Sequence, residues 1–261
     1  MAGFIKERQA KQVRALRQAR HIQPSLAIVT DAQNPVIETY MRLKQRYGAD
    51  ILIDVEIHRA ASGQALNIIK ELNTRPDVQG IIVQLPVDNP EQTDELLETV
   101  DKEKDVDGLC RNAIFDAATP IAINWLLAGY GIELKGKKIA IVGRGRLVGA
   151  PLEQMWQKSG IDTTMFEKGD DLGELINYDV IVSATGVPGL ITSQMIKPKA
   201  VVIDAGTASE NGRIVGDTAE EVRQRNDITI TPKKGGVGPL TVAALFDNII
   251  NACLRLPAKT N

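Results

Sequence analysis

One stretch limits what this chain can fold into more than any other: Lys138-Ile-Ala-Ile-Val-Gly-Arg-Gly-Arg-Leu-Val-Gly149, followed by Ala-Pro-Leu-Glu-Gln-Met-Trp. Four apolar residues in a row, Ile139 to Val142, read as a short strand buried on both faces. Gly143, Gly145 and Gly149 break it, and Pro151 sits where the first turn of a helix tolerates a ring nitrogen. Strand, glycine loop and helix in that order form a phosphate cradle, in which backbone approaches a pyrophosphate and the helix N-terminus supplies N–H groups. The spacing Gly-x-Gly-x-x-x-Gly is one residue longer than the commonest fingerprint, so an ordinary strand–helix turn is the competing reading. The flanking strand and helix favour a nucleotide.

The rest of the chain is organised in the same way. Residues 4 to 19, with Phe4, Ile5, Val13 and Leu16 among Lys, Arg and Gln, read as an amphipathic helix. Ser25–Val29 reads as a strand, Pro35 opens a helix closed by Gly48, and Ile51–Ile57 is the next strand. Ser62 caps a helix to Leu72, Gly80–Val83 is a third strand, and Pro90 starts a helix to Val100. A helix over Ile121–Ala128 leads into the glycine-loop strand. Further strands are expected at Asp162–Phe166, Asp179–Ser183, Ala200–Asp204 and Ile228–Thr231, with helices between, and a last helix over Thr241–Leu254. This alternation predicts an α/β protein with two parallel-sheet units. The first comprises residues 1–117 and the second, Rossmann-type, residues 118–240; the last helix comes after the second sheet is complete.

Net charge is −2, which makes no electrostatic case for nucleic acid or an anionic membrane. No apolar run approaches a bilayer span and the charged start has no apolar core, so the cytoplasm is the expected location. Only Cys110 and Cys253 occur, which suits a reducing compartment. His21 and His58 are far apart, so no metal site is expected.

Four places carry chemistry. Tyr40 and Lys44 stand at i and i+4 on one helix face, an arrangement that is equally a solvated pair. Gln84 directly follows a buried strand, where open α/β sheets bind ligands. Asp101-Lys-Glu-Lys-Asp-Val-Asp-Gly108 is a charged loop that fails the calcium-loop pattern, with Asp107-Gly108 as a turn dipeptide. Thr231-Pro-Lys-Lys-Gly-Gly-Val-Gly-Pro-Leu-Thr241 either brings backbone close to a flat ligand or merely connects strand to helix. Hydrolase-elbow and Walker motifs are absent from the sequence.

Together Tyr40-x-x-x-Lys44, Val83-Gln-Leu-Pro86, Lys104-Asp-Val-Asp-Gly108, Thr119-Pro120, Gly143-Arg144, Val148-Gly149, Pro151 and Gly235-Gly-Val-Gly-Pro-Leu-Thr241 form an ordered set. In this order the chain resembles the bifunctional methylenetetrahydrofolate dehydrogenase/methenyltetrahydrofolate cyclohydrolase family over nearly its whole length. The resemblance implies a folate-binding first domain of residues 1–117 completed by the returning helix 241–261, a nicotinamide-binding second domain, a cleft between them and a homodimer. It implies Lys44 as the catalytic lysine, with Tyr40 packing beside it, Gln84 positioning it and Asp107 holding the pterin. Leu85, Gly235, Gly236, Pro239 and Thr241 would complete the folate site. Gly143, Arg144, Gly145, Val148, Gly149, Glu167 and Thr119 would hold the cofactor.

Several positions depart from the family pattern. Ile37 and Ala118 replace a serine and a cysteine, Gly145 replaces the serine of Gly-Arg-Ser, and Lys233-Lys234 replaces Val-Pro. The 108–119 region is short and lacks a His-Pro. These departures bear on affinity and on the ratio of the two activities.

Cofactor choice is contested. Arg144, with Arg146 and Lys168, favours the 2′-phosphate of NADP. Glu167, at the end of the unit's second strand, favours the ribose hydroxyls of NAD, unless it is only a solvated strand-end charge. The expectation is NADP, with NAD possible. Two other readings stand beside the folate enzyme: a different two-domain NAD(P) dehydrogenase, and a nucleotide sensor that has lost catalysis. A sensor has no need of a lysine–amide pair.

Overall fold

The structure, a computed structural model, describes residues 1–32, 34–210, 213–233 and 235–257. The chain divides into two compact units, Met1–Ala118 with the segment from Val242 onward, and Thr119–Thr241.

In the first unit, β1 (Ser25–Thr30), β2 (Asp54–Arg59) and β3 (Gly80–Val83) form a parallel sheet in the order β2-β1-β3. Ile28 lies opposite Ile57 on one side and Ile82 on the other. Every residue of β1 is buried, because a central parallel strand is covered on both faces. Helices α3 (Ala65–Thr74) and α4 (Thr93–Thr99) place Ile69, Leu72, Leu96 and Leu97 against Ala27, Val29, Ile81 and Val83.

Helix α1 (Ala2–Arg20) buries Ile5, Gln9, Val13 and Leu16, while Phe4, expected on that face, is exposed. Gln9 is a buried amide with its partners supplied: it donates to the Ala243 carbonyl at 2.8 Å and accepts from the Tyr47 hydroxyl at 2.7 Å.

Helix α2 (Pro35–Ile51) starts where Asn34 accepts a hydrogen bond from the Val36 N–H, with Pro35 in the first turn. It runs three residues past Gly48 and ends at Leu52 in the left-handed conformation. A Cβ at Gly48 would lie 2.6 Å from Val55 Cγ2 and 2.8 Å from the Ile53 carbonyl oxygen. Gly48 therefore serves a close approach of strand to helix and not a helix stop. This moves the start of β2 from the expected Ile51 to Asp54. Similarly, Ser62 lies in a turn, and α3 begins after Gln64. Pro90 opens a short 3-10 turn ahead of α4.

Helix α7 (Val237–Arg255) begins four residues before the expected Thr241. It is long and apolar enough to cross a membrane by length and composition, contrary to the expectation that no such run exists. Ala244, Phe246, Ile249, Ile250 and Cys253 are nevertheless buried within the protein. Buried Asn248 donates to the carbonyls of Val106 and Asp116, each at 2.9 Å, tying this helix to the acidic loop.

In the second unit, α5 (Ala118–Gly129) precedes a five-stranded parallel sheet. Its strands are β4 (Ile139–Val142), β5 (Thr164–Phe166), β6 (Val180–Ser183), β7 (Val201–Asp204) and β10 (Thr229–Ile230), in the order β10-β7-β6-β4-β5. Numbered within the unit this is the doubly wound order 2-1-3-4-5, whose switch point lies between β4 and β6. Helix α6 (Gly149–Lys158) follows β4.

The full helices expected between the later strands are short 3-10 turns instead, at Leu172–Asn177, Ser193–Met195 and Glu220–Gln224. These connections carry Gly169, Gly186, Pro188, Gly189 and Pro198, which deny a helix its length. A hairpin of β8 (Ala208–Glu210) and β9 (Arg213–Val215) was not expected from the sequence.

Candidate active site

In the first unit, α2 and the end of β3 bring Lys44 and Gln84 together across forty residues, the Lys44 ammonium donating to Gln84 Oε1 at 2.7 Å. The amide is itself held. Its Nε2 donates to the Leu85 carbonyl at 2.9 Å, and its backbone N–H donates to Val29 at 2.8 Å, which turns the carbonyl oxygen towards the lysine. The Leu85–Pro86 peptide is cis, and Leu85 packs partly buried against the core below. Tyr40, one turn before Lys44, is partly buried, and burial pushes its phenol above the usual range.

The acidic loop sorts its charges by role. Lys104 donates to the carbonyls of Leu72, Asn73 and Arg75, closing the C-terminal end of α3. Asp105 is buried and accepts from the N–H groups of Gly108, Leu109 and Cys110. The bridge between Ile81 and Asp105 fastens the loop alongside β3. Gly108 has a φ of +70°, and a Cβ there would lie 2.5 Å from the Phe115 carbonyl oxygen, so this position requires glycine. Asp107 is left over. Among the described residues its carboxylate accepts no hydrogen bond, and it lies close enough to Lys44 for the two charges to interact.

Burial sets the electrostatics of this pair. It pushes Lys44 below the ordinary lysine range, an effect that the Asp107 carboxylate partly opposes. It raises the Asp107 carboxyl to about 6, opposed by Lys44 and reinforced by Asp105. The result is an amine that releases its proton more easily than a solvated lysine, beside a carboxyl that ionises near neutrality.

In the second unit, the glycine loop leaves β4 at the switch point. Gly143 has a φ of +95°, and a Cβ there would meet the Ala184 carbonyl oxygen at 2.8 Å. A Cβ at Gly149 would lie 1.8 Å from the Gly143 carbonyl oxygen. At Gly145 a Cβ would meet only the Ala184 carbonyl oxygen at 3.7 Å, so the backbone tolerates a side chain there. Val148 caps α6, and the loop lies at the ends of β4 and β6, the switch point at which doubly wound folds bind dinucleotides.

Gly149→Ala is expected to displace this loop and weaken nucleotide binding at least tenfold, while Gly145→Ser leaves the loop conformation intact. Calorimetric titration of both variants with nucleotide tests the contrast; equal binding by Gly149→Ala and the parent would remove the loop from the site.

Arg144, in this loop, is not free. Its Nε donates to Glu167 at 2.7 Å, and its Nη1 donates to Glu153 at 2.7 Å. Glu167 is therefore not a solitary strand-end charge: it pairs with the arginine. Glu153 was missed by sequence reading although a signal was present. Gly149, Leu152, Glu153 and Trp156 fall at i, i+3, i+4 and i+7 on the buried stripe of α6, and an acid on such a stripe needs a cation.

A second unread network lies at the end of β7. Asp204 accepts from the Asp217 and Thr218 N–H groups, the Thr218 hydroxyl and the Arg223 guanidinium. Asp217 accepts from the Ser183 hydroxyl and the Thr185 N–H, shaping the turn after β6.

Thr119 and Thr241 meet, hydroxyl to hydroxyl, at 3.4 Å. Gly236 is buried at the start of α7, whereas Gly235 and Pro239 are exposed. Lys233 pairs with Glu220 at the surface; Lys234 lies outside the described residues.

Comparison with known proteins agrees with this architecture. Residues 1–107 match the tetrahydrofolate dehydrogenase/cyclohydrolase catalytic domain, and residues 117–256 match the NAD(P)-binding domain of the same family. The bifunctional protein FolD of Lactobacillus acidophilus is 35% identical, over 98% of this chain and 95% of its own length. The structure of the bifunctional methylenetetrahydrofolate dehydrogenase/cyclohydrolase of Campylobacter jejuni superposes with a TM-score of 0.90 at 31% identity, covering 98% of this chain and 96% of that one. The Trypanosoma brucei enzyme, solved with NADP and an inhibitor, gives 0.90 at 28% identity, covering 97% and 95%. Two domain models and full-length relatives agree: this chain belongs to the tetrahydrofolate dehydrogenase/cyclohydrolase family.

Proposed function

We propose that this protein oxidises 5,10-methylenetetrahydrofolate to 5,10-methenyltetrahydrofolate and hydrolyses that product to 10-formyltetrahydrofolate. It uses NADP, and NAD as well, as the hydride acceptor. The single observation that carries the chemical reading is the desolvated Lys44 ammonium held by an oriented Gln84 beside Asp107.

The roles follow from this geometry. Asp107, with no fold-internal hydrogen bond among the described residues, is free to accept a paired N–H and amino contact from a pterin edge. Tyr40 packs a ring beside that plane, and Leu85 offers an apolar wall. Gly235, Gly236, Pro239 and Thr241 are assigned to the folate, and Thr119 to the nicotinamide, on the family resemblance.

Gly143, Gly145, Val148 and Gly149 would hold the phosphates of the dinucleotide, which when bound would supply the hydride acceptor for the methylene carbon. In the hydrolytic step, water adds to the methenyl carbon of the cation and one proton leaves. The bond between that carbon and N5 then breaks, N5 gains a proton and a formyl group remains on N10. Lys44 moves these protons, a role favoured by burial, which holds the amine below the ordinary lysine range. Gln84 keeps its nitrogen aimed.

By resemblance the protein acts as a homodimer, which light scattering during gel filtration tests; its net charge of −2 and its two cysteines are the grounds for placing it in the cytoplasm without nucleic-acid or membrane partners. The activity is tested with purified protein, methylenetetrahydrofolate and each nicotinamide cofactor, following reduced nicotinamide and methenyl product separately. Formation of reduced nicotinamide with rapid loss of the methenyl product is expected. Oxidation of an unrelated alcohol instead would support a different dehydrogenase.

A further inference from the structure

The adenosine-ribose end of the dinucleotide site holds an ion-pair arrangement that the proposed activity does not need. Arg144 lies between two carboxylates, Glu167 at 2.7 Å from Nε and Glu153 at 2.7 Å from Nη1, with the other oxygen of Glu153 at 3.4 Å from Nη2. Glu167 immediately follows β5, the unit's second strand, where doubly wound dinucleotide folds place an acid on the ribose hydroxyls. Its backbone N–H donates to Asp170 at 2.7 Å, which fixes the turn carrying it. Glu153 is buried on α6 and Glu167 is exposed, so the guanidinium is anchored from below and covered from the side.

We propose that Glu153 and Glu167 together set the cofactor preference by holding Arg144 between two carboxylates, which cancels its discrimination for a 2′-phosphate, so that NAD binds at least as tightly as NADP. An arginine selects NADP when its fork is available to the phosphate in a bidentate pair. Here the fork already faces Glu153 and the Nε edge faces Glu167. A 2′-phosphate must displace at least one carboxylate and then lie beside it, two anions at short range. A 2′-hydroxyl meets no such repulsion and donates to Glu167 directly.

The inference rests on the dinucleotide reading of this unit but not on the folate chemistry, so it is read by binding. Calorimetry with NADP+, NAD+, 2′,5′-ADP and 5′-ADP is performed on the parent, Glu153→Gln, Glu167→Gln and the double variant, with circular dichroism confirming the fold. The parent is expected to bind NAD+ at least as tightly as NADP+. The double variant is expected to raise the NADP+/NAD+ ratio of association constants by about one to two decades, mostly through tighter NADP+. The 2′,5′-ADP/5′-ADP ratio should follow it. Glu167→Gln, at an exposed position, gives a folded variant in any case and should move the ratio the same way.

A parent that prefers NADP+ more than tenfold, or ratios unchanged in the folded variants, overturns the proposal while leaving the dinucleotide reading intact. Absence of binding by every nucleotide overturns both.

Discussion

Replacing Lys44 by methionine is expected to lower cyclohydrolase activity by at least about a hundredfold, the usual lower bound for losing a placed acid–base group. Methionine keeps most of the apolar stem and cannot carry a proton. Gln84 does not titrate, burial moves the Tyr40 phenol further from neutrality, and the Asp107 carboxylate is assigned to the pterin. Folding should survive, because the change removes a cation that burial already disfavours. Dehydrogenase activity should fall less, since hydride transfer depends mainly on holding two rings in contact. Following methenyl hydrolysis and nicotinamide reduction in the same preparation separates the two effects. Undiminished hydrolysis by the methionine variant would falsify the role given to Lys44.

Asp107→Asn should weaken folate binding by about ten- to a hundredfold, the worth of one charge-assisted hydrogen bond in a poorly solvated site. Nucleotide binding, which uses the other unit, should be unchanged. Separate titrations with folate and nucleotide make the comparison; equal loss of both would make Asp107 a structural turn residue.

A pH dependence follows with a defined sign. Asp107 ionises near pH 6 in the folded protein, so the KM for folate should rise as pH falls through that value. Because its folded pKa is raised, the stability contributed by the protonated form is full below the unfolded value and is lost as pH rises through about 6. In Asp107→Asn the opposing negative charge is gone, so the Lys44 pKa should fall further and the limb that it controls should move to lower pH. In Lys44→Met the Asp107 carboxyl should ionise at still higher pH.

Much of the fold is legible in local pattern. Buried runs such as Ile139–Val142 and Gly80–Val83 become strands because a parallel sheet covers both faces. Asn34-Pro35 opens α2 through a side-chain cap and a pre-set φ. Errors cluster where one residue type serves two purposes. Gly48 looks like a helix stop, yet it is small so that Ile53 and Val55 can approach α2. In the second unit the spacing between strands suggested helices, but glycine and proline leave room only for 3-10 turns.

The sequence by itself determined the alternation of strands and helices, the glycine loop and its helix, and the pairing of Tyr40 with Lys44 on one face. Each depends on residues within a few turns of one another, where backbone geometry fixes the relation. Only the tertiary structure decided which charges in the 101–108 loop are used up and what occupies Arg144; the family resemblance assigned Gln84 to Lys44, and the fold supplies the contact between them. Lys104 reads as a surface charge until the end of α3 is placed beneath it. Arg144 reads as a phosphate ligand until Glu153 and Glu167 close on it. The energy of such contacts depends on desolvation and on partners distant in sequence, which no local pattern encodes.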